Sequence, residues 1–539
     1  MGKIAEYLRT HLDGEVTDAV DVREHFSTDG GLVKITPQTV IYPFSESDVR
    51  KVARFAWQLA EKGKKIAITS RGLGSDWSGG AVGDGITVAF PAHMNKIIEL
   101  DSRKAEMVVE PGATIGKVNQ ALVTHGLYLP IDPLSAEFST IGGAVATNAS
   151  SFRSAKYGLP AENVTKLRVV LTNGEVIETE RVSKRELRKK MGLTTFEGEI
   201  YRGIDAILTD HAETIAGYSG KPHFAPLNVF DIRHKDGSID LTPLFIGSQG
   251  SLGIVTQIRT KVTAYNPGFR QAVYGFYNVE EFNSVAPQIV KLAPSMFTVI
   301  PRSTLELFAS LNPSYINAHF PEKLPELLVL LEWDEFSLRV QKKATKKLAK
   351  LCQKMEVTSH LASTEKAKEK LAKFYRLPAV LLQSELEHAR AVPGIESAYV
   401  AAEHLPQLVT DLDEMLDKVS TRGIVWYDYV TGIVRCFPFL DLRQLGQRQK
   451  LLRAIDLFNE LVVVKGGAVG VHGGGRIAAS SHKQAHGDVL YAVFEAIKQL
   501  FDPYEVLSPG VKFKADKNVV AAKMNQGYTL SHRHNHLPR

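Results

Sequence analysis

A glycine-rich loop at Arg71–Gly80 carries residue types that suit the binding of a phosphate group. It follows the apolar run Ile66–Ile68, which we predict to be a buried strand. Glycine tolerates positive φ and lets the backbone approach a ligand closely, so successive N–H groups can form a concave anion site. Ser75 and Ser78 add short hydroxyl donors, and Arg71 can supply a fixed positive charge. Considered alone, the loop is better explained as a turn between strands.

A second segment, Ser139–Ser150, is made mostly of small residues and supports a binding role for the loop. Ser139 or Thr140 can cap a helix whose N-terminus would face an anion or a polar ring edge. Gly142 and Gly143 leave one face of this helix without bulk, so a flat ring system or a backbone could lie against it. A small-residue helix packed closely on a sheet is the alternative interpretation.

The elements around these two segments predict a mixed α+β N-terminal half. Strands are expected at 65–69, 85–90 and 106–110, and a helix is expected to begin after Ser45. The pair Asn173-Gly174 between apolar runs predicts a hairpin with a type I′ turn.

The character of the sequence changes at Tyr265–Gly268, where we expect a domain boundary. Beyond it, strands at Ala272–Phe276 and Leu327–Leu331 alternate with long charged helices at Phe336–Met355 and Glu365–Phe374. The second half is therefore also expected to mix helices and strands.

Composition excludes several classes of protein. The chain has 539 residues, 44% of them hydrophobic, and a formal net charge of +6. Because no basic stripe is interleaved with aromatic residues, we predict no nucleic-acid partner and at most peripheral contact with a membrane. The absence of an apolar signal-peptide run predicts a cytoplasmic location, peripheral at most to the inner membrane face. Cys352 and Cys436 cannot alone hold an iron–sulfur cluster and are expected to be buried apolar residues.

The order of the motifs resembles that of FAD-dependent oxidoreductases of the vanillyl-alcohol oxidase and p-cresol methylhydroxylase type. Within them the chain is most similar to the branch of D-lactate, glycolate and D-2-hydroxyglutarate dehydrogenases. The similarity is strong over residues 35–265 and weaker over 270–512. The motifs that carry it are Arg71–Val82, Met94–Ile97, Glu110–Gly112, Asp132-Pro133, Thr140–Ala149, Tyr157-Gly158, Phe245–Ile254, Phe501–Pro503 and Ser508–Val511.

This resemblance implies an α+β fold, with a two-subdomain FAD-binding domain of p-cresol methylhydroxylase type and an α+β substrate (cap) domain containing an antiparallel sheet. The implied divisions are an N-terminal helical segment (1–34), the FAD-binding domain (35–266), the substrate domain (267–500), a return to the FAD domain (501–515) and a basic flexible tail (516–539). The implied cofactor-binding residues are Arg71, Gly72, Leu73, Gly74, Ser75, Asp76, Ser78, Gly79, Gly80, Pro133, Ser139, Thr140, Gly142, Gly143, Asn148, Ala149, Gly253 and Ile254.

The resemblance also bears on how the flavin is held. Relatives that attach flavin covalently often use a histidine in the first loop, and Ser75 stands at that place here. A serine cannot form a histidyl link, so we predict non-covalent, dissociable FAD. The arrangement is not that of a Rossmann fingerprint, so NAD is not implied.

In the same branch, two histidines and a glutamate bind a metal ion that helps to polarise the substrate hydroxyl. The matching positions here hold Asp428, Arg435 and Val471. Arginine offers only hydrogen-bond donors and valine offers no ligand atom, so we predict no catalytic metal.

Three residues are candidates for the chemistry on the substrate. A hydroxy-acid dehydrogenase needs a cation for the carboxylate and a base for the hydroxyl proton. His472, before Gly473–Gly475, matches the catalytic histidine of the family, with a hydrogen-bonded core histidine as the alternative. Arg435 could bind the carboxylate or form a structural ion pair with Asp428. Arg376 lies near the place of a carboxylate-binding arginine, with a surface arginine at a helix end as the alternative.

We therefore expect an FAD-dependent dehydrogenase that oxidises a small, D-lactate-like 2-hydroxy acid by hydride transfer to flavin N5. The alternatives are a flavoenzyme of the same fold that acts on another alcohol or an ether-lipid precursor, and a degenerate flavin-binding protein. The sequence leaves the electron acceptor open, and a homodimer is compatible with the resemblance.

Overall fold

The structure is a computed structural model and describes residues 2–131, 133, 135–218, 224, 226–395 and 397–528. The helices are α1 Lys3–His11, α2 Val20–His25, α3 Glu46–Glu61, α4 Ile115–Val123, α5 Ile141–Thr147, α6 Ser154–Tyr157, α7 Pro160–Asn163, α8 Lys184–Met191, α9 Phe196–Asp210, α10 Ala212–Ala216, α11 Thr242–Phe245, α12 Val279–Val290, α13 Arg302–Leu311, α14 Pro313–His319, α15 Leu338–Leu351, α16 Glu365–Tyr375, α17 Leu377–Leu382, α18 Leu405–Lys418, α19 Leu445–Val464, α20 Gly475–Ala479, α21 His482–Phe501 and α22 Lys517–Ala522.

The strands are β1 Glu15–Thr17, β2 Thr39–Tyr42, β3 Ile68–Arg71, β4 Ile86–Ala89, β5 Ile97–Asp101, β6 Glu106–Val109, β7 Leu127–Tyr128, β8 Val164–Val170, β9 Val176–Thr179, β10 Ile254–Lys261, β11 Thr263–Ala264, β12 Arg270–Phe276, β13 Met296–Pro301, β14 Leu327–Trp333, β15 Val357–Ala362, β16 Glu385–Leu386, β17 Ala389–Ala391, β18 Ala398–Tyr399, β19 Gly423–Asp428, β20 Ile433–Leu440 and β21 Ala468–Val469.

The chain divides into two compact units. The first unit comprises Met1–Ala149, Leu159–Thr263 and Val469–Arg539, and the second comprises Ser150–Gly158 and Ala264–Ala468. The sequence places the return to the first domain at residue 501, whereas the structure returns at Val469. The segment after Val469 belongs to the first unit because it bonds there, with the Arg476 N–H donating to the Ser78 carbonyl at 3.0 Å.

Two sheets with separate apolar cores build the first unit. One has the order β1-β2-β4-β3, and its β2, β4 and β3 run parallel. Helix α3 packs Val49, Val52 and Ala56 into the core of this sheet. The other sheet is antiparallel, in the order β5-β6-β10-β8-β9, and has its own core. These sheets are the two subdomains that the sequence predicts.

The second unit contains an antiparallel sheet in the order β15-β12-β14-β13-β19-β20-β17-β16, and β18 pairs with β20. Strand β14 is buried along its whole length. The two long charged helices predicted after this strand are α15 and α16. The expected α+β cap domain with an antiparallel sheet is confirmed.

The predicted type I′ turn at Asn173-Gly174 is wrong, although the hairpin itself forms with Val170 opposite Val176. A type I′ turn requires positive φ at both central residues, and here only Gly174 has it, at +83°. The loop is longer, because the Leu171 N–H donates to the Glu175 carbonyl at 2.8 Å. The Asn173 side chain accepts the Glu175 N–H at 2.9 Å and stabilises this alternative.

Both cysteines are buried and free of disulfide bonds, as the sequence predicts. Within the described ranges, no helix combines the length and the apolarity needed to cross a bilayer. The predicted flexible tail is wrong for residues 516–528, because this segment forms α22 and the Lys34 N–H donates to the Lys523 carbonyl at 2.8 Å. Asp132 and the histidine-containing end of the tail, 529–539, lie outside the described residues.

Candidate functional site

The loop that follows β3 presents a row of backbone donors. Among the residues that the structure describes, none accepts a hydrogen bond from the N–H groups of Gly72–Asp76. Gly74 has φ +74°, which changes the direction of the chain within this run. Successive N–H groups arranged in this way form a concave anion site, so the loop fits a pyrophosphate.

The side chains of Asp76 and Arg71 stabilise the conformation of this loop through hydrogen bonds. Asp76 Oδ2 accepts from Ser78 Oγ at 2.7 Å and from the Gly80 N–H at 2.9 Å. The buried Arg71 guanidinium donates to the carbonyl oxygens of Phe26 at 3.2 Å and Ala81 at 3.3 Å. The resemblance implied both as cofactor-binding residues. These bonds stabilise the loop, and a direct contact of either side chain with FAD stays a prediction.

The small-residue helix α5 differs from the prediction at its N-terminus. Thr140 is the cap residue, and its Oγ1 accepts the Gly143 N–H at 3.0 Å. The N–H groups of Ile141 and Gly142 donate to carbonyl oxygens of residues 113 and 111, each at 2.9 Å. The expectation that this terminus faces an anion is therefore wrong, because the strand-like segment beside it already fills the free donor positions.

The side of α5 that lacks bulky side chains nevertheless packs closely against the glycine-rich loop. A Cβ on Gly72 would lie 2.3 Å from Thr140 Oγ1, so only glycine fits there. Gly72, Thr140, Gly142, Gly143 and Gly253 line part of one pocket of about 70 Å³. A glycine-walled pocket of this size does not enclose a whole nucleotide, but beside a row of N–H donors it fits the phosphate end of the nucleotide part of FAD.

The other implied cofactor residues lie around the same loop and helix. Ser75 Oγ and Ser139 Oγ are hydrogen-bonded at 2.8 Å. Asn148 ends α5 in the left-handed conformation, with φ +50°, and its Oδ1 accepts the Ala161 N–H at 3.1 Å. Ile254 begins β10 and is buried. The remaining members of the set are Leu73 and Gly80 of the loop, Gly79 with φ +73°, the half-buried Pro133 and Ala149, which follows α5.

His472 lies in a glycine segment that is bonded to the loop. The imidazole is partly exposed, whereas the glycines after it are buried. The Gly475 N–H donates to Gln249 Oε1 at 2.9 Å, and Gln249 Nε2 donates to Ser78 Oγ at 2.9 Å. A Cβ on Gly475 would lie 2.2 Å from Ser78 Oγ. The glycines therefore serve close packing against the loop, where the sequence suggested approach to a ligand.

Lys512 is a buried cation that contacts the same glycine segment. Its Nζ donates to the Gly473 carbonyl, next to His472. Burial lowers the pKa of Lys512 to about 7, and the charge of Asp76 opposes that shift. Burial also raises the pKa of Asp29, beneath the same loop, to about 7, with a further contribution from Asp76. Lys512 and Asp29, which both lie close to the loop, are therefore expected to change protonation near neutral pH.

Arg435 and Asp428 lie on neighbouring strands of the second unit. Arg435 is buried, donates to Ser150 Oγ, and stacks its guanidinium 5.6 Å from the ring centroid of Trp426. Asp428 Oδ1 accepts the N–H and hydroxyl of Thr431 at 2.7 and 2.8 Å, while its buried Oδ2 has no hydrogen-bond partner among the described residues. Burial raises the pKa of Asp428 to about 6, and the charge of Arg435 only partly offsets this.

The third catalytic candidate, Arg376, is exposed at the C-terminal end of α16. Among the described residues, no group of three or more histidine, cysteine or acidic side chains has an arrangement suited to a metal ion.

The sequence did not single out Gln249 or Lys512 as functional residues. Gln249 stands inside the glycine-rich motif Phe245–Ile254, and Lys512 directly follows Ser508–Val511. A polar side chain within such motifs is a signal that could have identified both. Their partners come from distant parts of the chain, so their contacts could not be deduced from spacing.

Comparisons with known proteins find similarity to FAD-binding proteins along most of the chain. Residues 37–180 match the family described as the FAD binding domain, and residues 269–511 match the C-terminal domain of FAD linked oxidases. D-2-hydroxyglutarate dehydrogenase of Pantoea ananatis is 25% identical over 520 residues, which are 92% of this chain and 50% of that protein. Glycolate oxidase subunit GlcD of Bacillus subtilis is 24% identical over 495 residues, 90% of this chain and 92% of that protein. The crystal structure of p-cresol methylhydroxylase with substrate bound superimposes with a TM-score of 0.69 at 16% identity, covering 96% of this chain and 97% of that chain.

These matches define a flavoprotein with the p-cresol methylhydroxylase type of fold. The chain belongs to the family of FAD-linked oxidoreductases, and its cofactor is FAD. It spans about half the length of the curated D-2-hydroxyglutarate dehydrogenases that it matches.

Proposed function

We propose that this chain is a dehydrogenase of a small, D-lactate-like 2-hydroxy acid, with His472 as the base. The observation that carries the proposal is the attachment of the His472 segment to the FAD loop through Gln249 and Ser78. The names of the relatives support the substrate class, because they act on D-2-hydroxyglutarate and glycolate.

The proposed roles follow from what each side chain can do. Bound FAD supplies a hydride acceptor at N5. His472 accepts the proton of the substrate hydroxyl, since a partly exposed imidazole can then pass that proton to solvent. Glycine at 473 keeps the backbone beside the imidazole free of a side chain.

Arg435 is proposed to supply the positive charge for the substrate carboxylate, in the place where the resembled branch has a metal ligand. A guanidinium can bind a carboxylate through two parallel hydrogen bonds. Arg376 is the second candidate for this role, and its exposure makes it the weaker one. The reaction is proposed to need no metal ion, because Arg435 and Val471 cannot act as ligands.

Anaerobic mixing of the FAD-loaded protein with single hydroxy acids tests the proposal. D-lactate or D-2-hydroxyglutarate should bleach the flavin absorbance, and prior treatment with a chelator should not slow the bleaching. Bleaching only by other alcohols would assign a different substrate class. Retained FAD with no bleaching by any donor would contradict the enzymatic role altogether.

Two substitutions test the proposed base and the proposed carboxylate-binding arginine separately. His472→Ala should lower the bleaching rate by ~10²–10⁴-fold with FAD retained, and the exposed His125→Ala is its matched control. Arg435→Met should raise the KM for the acid by ~10–100-fold, with Arg376→Met as its comparison. An unchanged rate in His472→Ala would remove this residue from the mechanism.

A further inference from the structure

Helix α15 of the second unit carries an unusual concentration of positive charge. Between Phe336 and Met355 the sequence contains no aspartate or glutamate. The cations on this helix and just beyond its end form what we call the α15 cationic face: Arg339, Lys342, Lys343, Lys346, Lys347, Lys350 and Lys354.

The cations share one side of the helix. At about 100° per residue, the cations within α15 spread over an arc of roughly 140°. The buried residues Gln341, Ala344 and Leu348 lie on the opposite side, where they attach the helix to its own unit. All seven cationic residues are exposed.

These charges are not neutralised by neighbouring side chains. Nearby lysines form ion pairs, such as Lys323 with Glu356 at 2.6 Å and Lys368 with Glu365 at 2.8 Å. Within the described part of the chain, no carboxylate forms an ion pair with any member of the α15 cationic face. The face is therefore available to an external anion.

Large apolar side chains flank the cations at the start of the helix. Phe336 is 63% exposed, Leu338 is 58% exposed and Val340 is 50% exposed. We call these three residues the apolar rim. Leu338 and Val340 lie on opposite flanks of the cationic arc, so one docking orientation could bring both flanks and the charges against the same surface.

We propose that the α15 cationic face and the apolar rim together dock this protein on an anionic lipid surface. Clustered lysines are attracted to anionic headgroups, and exposed aromatic and aliphatic side chains can enter the interface between headgroups and acyl chains. An acidic protein would satisfy the charges alone. The apolar rim favours the lipid surface, because a membrane offers an apolar layer directly beside its anionic headgroups. This inference goes beyond the proposed reaction and is independent of it.

Cosedimentation with vesicles tests the charge requirement in the full FAD-loaded chain. Vesicles of phosphatidylcholine with about 30 mol% phosphatidylglycerol should bind the protein, whereas phosphatidylcholine alone should bind it weakly. Neutralising Lys343, Lys346 and Lys350 together to glutamine should lower the partition coefficient by roughly 100-fold, since each cation near such a surface contributes about fivefold.

A matched control uses the other strongly basic helix, α8. Its exposed Arg185, Arg188 and Lys189 lack a comparable apolar rim, and their joint replacement by glutamine removes the same charge. This control should retain most of the vesicle binding. Because all substituted residues are exposed, flavin content and circular dichroism should be unchanged in both triple variants.

A third variant distinguishes a membrane from an acidic protein. Joint replacement of Phe336, Leu338 and Val340 by serine should weaken binding to anionic vesicles by roughly tenfold, because less apolar area enters the interface. Binding to soluble polyglutamate should not change. Failure of the unmodified chain to bind anionic vesicles would overturn the proposal, as would equal losses in the α8 control. Equal binding of the apolar-rim variant and the unmodified chain to anionic vesicles would contradict the role of the apolar rim, because charge alone would then account for docking.

Discussion

The Oε1 atom of Gln249 accepts the backbone N–H of Gly475 at 2.9 Å. The Nε2 atom of the same buried side chain donates to Ser78 Oγ at 2.9 Å. One amide therefore links the FAD loop to the segment that carries His472. The position of the proposed base relative to the cofactor loop depends on this residue, which itself needs to touch neither FAD nor substrate.

Gln249→Ala should loosen the contact between the two segments, which the bond from the Arg476 N–H to the Ser78 carbonyl would still join. It leaves the buried Gly475 N–H without its acceptor, which costs about 1–3 kcal/mol of stability. We expect a lower unfolding temperature, faster release of FAD on heating and a lower kcat. Thermal unfolding followed by flavin fluorescence, together with single-turnover bleaching, measures these effects.

Gln341 offers a matched control in the second unit. It is also buried, and its Nε2 donates to the carbonyl oxygens of Gly268 at 2.5 Å and Glu335 at 2.6 Å. Gln341→Ala should destabilise the protein to a similar degree without changing FAD affinity. Equal effects of the two variants on FAD affinity would contradict the linking role of Gln249.

Gly72→Ala tests whether the pocket beside α5 holds the nucleotide. The new methyl group would meet Thr140 Oγ1 at 2.3 Å, so the loop must shift away from the helix. We expect an energetic cost of about 1–3 kcal/mol and FAD affinity reduced by ~10–100-fold, measured by flavin fluorescence titration.

A compensating change strengthens this test. Thr140→Gly removes the clashing oxygen at little cost, because glycine is an acceptable helix cap. The double variant should therefore bind FAD more tightly than Gly72→Ala alone. Gly446→Ala, with no atom within 4 Å of the new Cβ, should leave FAD affinity unchanged. If the double variant did not recover FAD affinity, the effect of Gly72→Ala would not come from the contact with Thr140.

Much of the fold could be predicted from local sequence. The apolar run before Arg71 predicted β3, although the strand begins later than expected, at Ile68, and includes Arg71. The caps at Ser45 and Thr140 predicted the starts of α3 and α5. These features depend on neighbouring residues, so periodicity and capping preferences report them. The resemblance to flavoproteins added the arrangement of sheets, which local patterns alone do not determine.

The details that the sequence did not predict depend on which polar groups pair in the folded chain. The N–H groups at the start of α5 looked free in the sequence, but carbonyl oxygens of the 111–113 segment occupy two of them. The resemblance implied Asp76 as a cofactor-binding residue, and the bonds of its carboxylate to Ser78 and Gly80 also stabilise the loop. The turn after β8 failed as a prediction because the Asn173 side chain bonds to the Glu175 N–H. The bonds at α5 are tertiary and have no signature in spacing. The bonds of Asp76 and Asn173 are short-range ones that aspartate and asparagine commonly form, so they could have been anticipated.

We predict that FAD leaves the protein completely on acid precipitation. Ser75 stands where covalent relatives carry histidine, and its hydroxyl is bonded to Ser139 at 2.8 Å. All yellow colour should appear in the supernatant and run with free FAD on chromatography. Ser75→Ala should behave identically. Colour that stays with the precipitated polypeptide would show a covalent link through another residue.

FAD affinity should fall as the pH rises above about 7. Burial lowers the pKa of Lys512 to about 7 and raises the pKa of Asp29 to about 7, so both groups are partly protonated at neutrality. The arriving diphosphate is negative and favours the protonated form of each group. Binding therefore takes up protons in this range, and uptake on binding means weaker binding at higher pH.

Calorimetric titration of FAD in two buffers of different ionisation enthalpy measures this proton uptake, expected to lie between zero and about two protons per FAD. Lys512→Met and Asp29→Asn should each reduce the uptake, and the double variant should abolish it. Lys498, which is also buried, pairs with Asp502 at 2.6 Å, so the charge change of the cofactor should not alter its protonation and Lys498→Met should keep the uptake. Proton release on binding, or uptake that survives in the double variant, would show that other groups respond to the diphosphate.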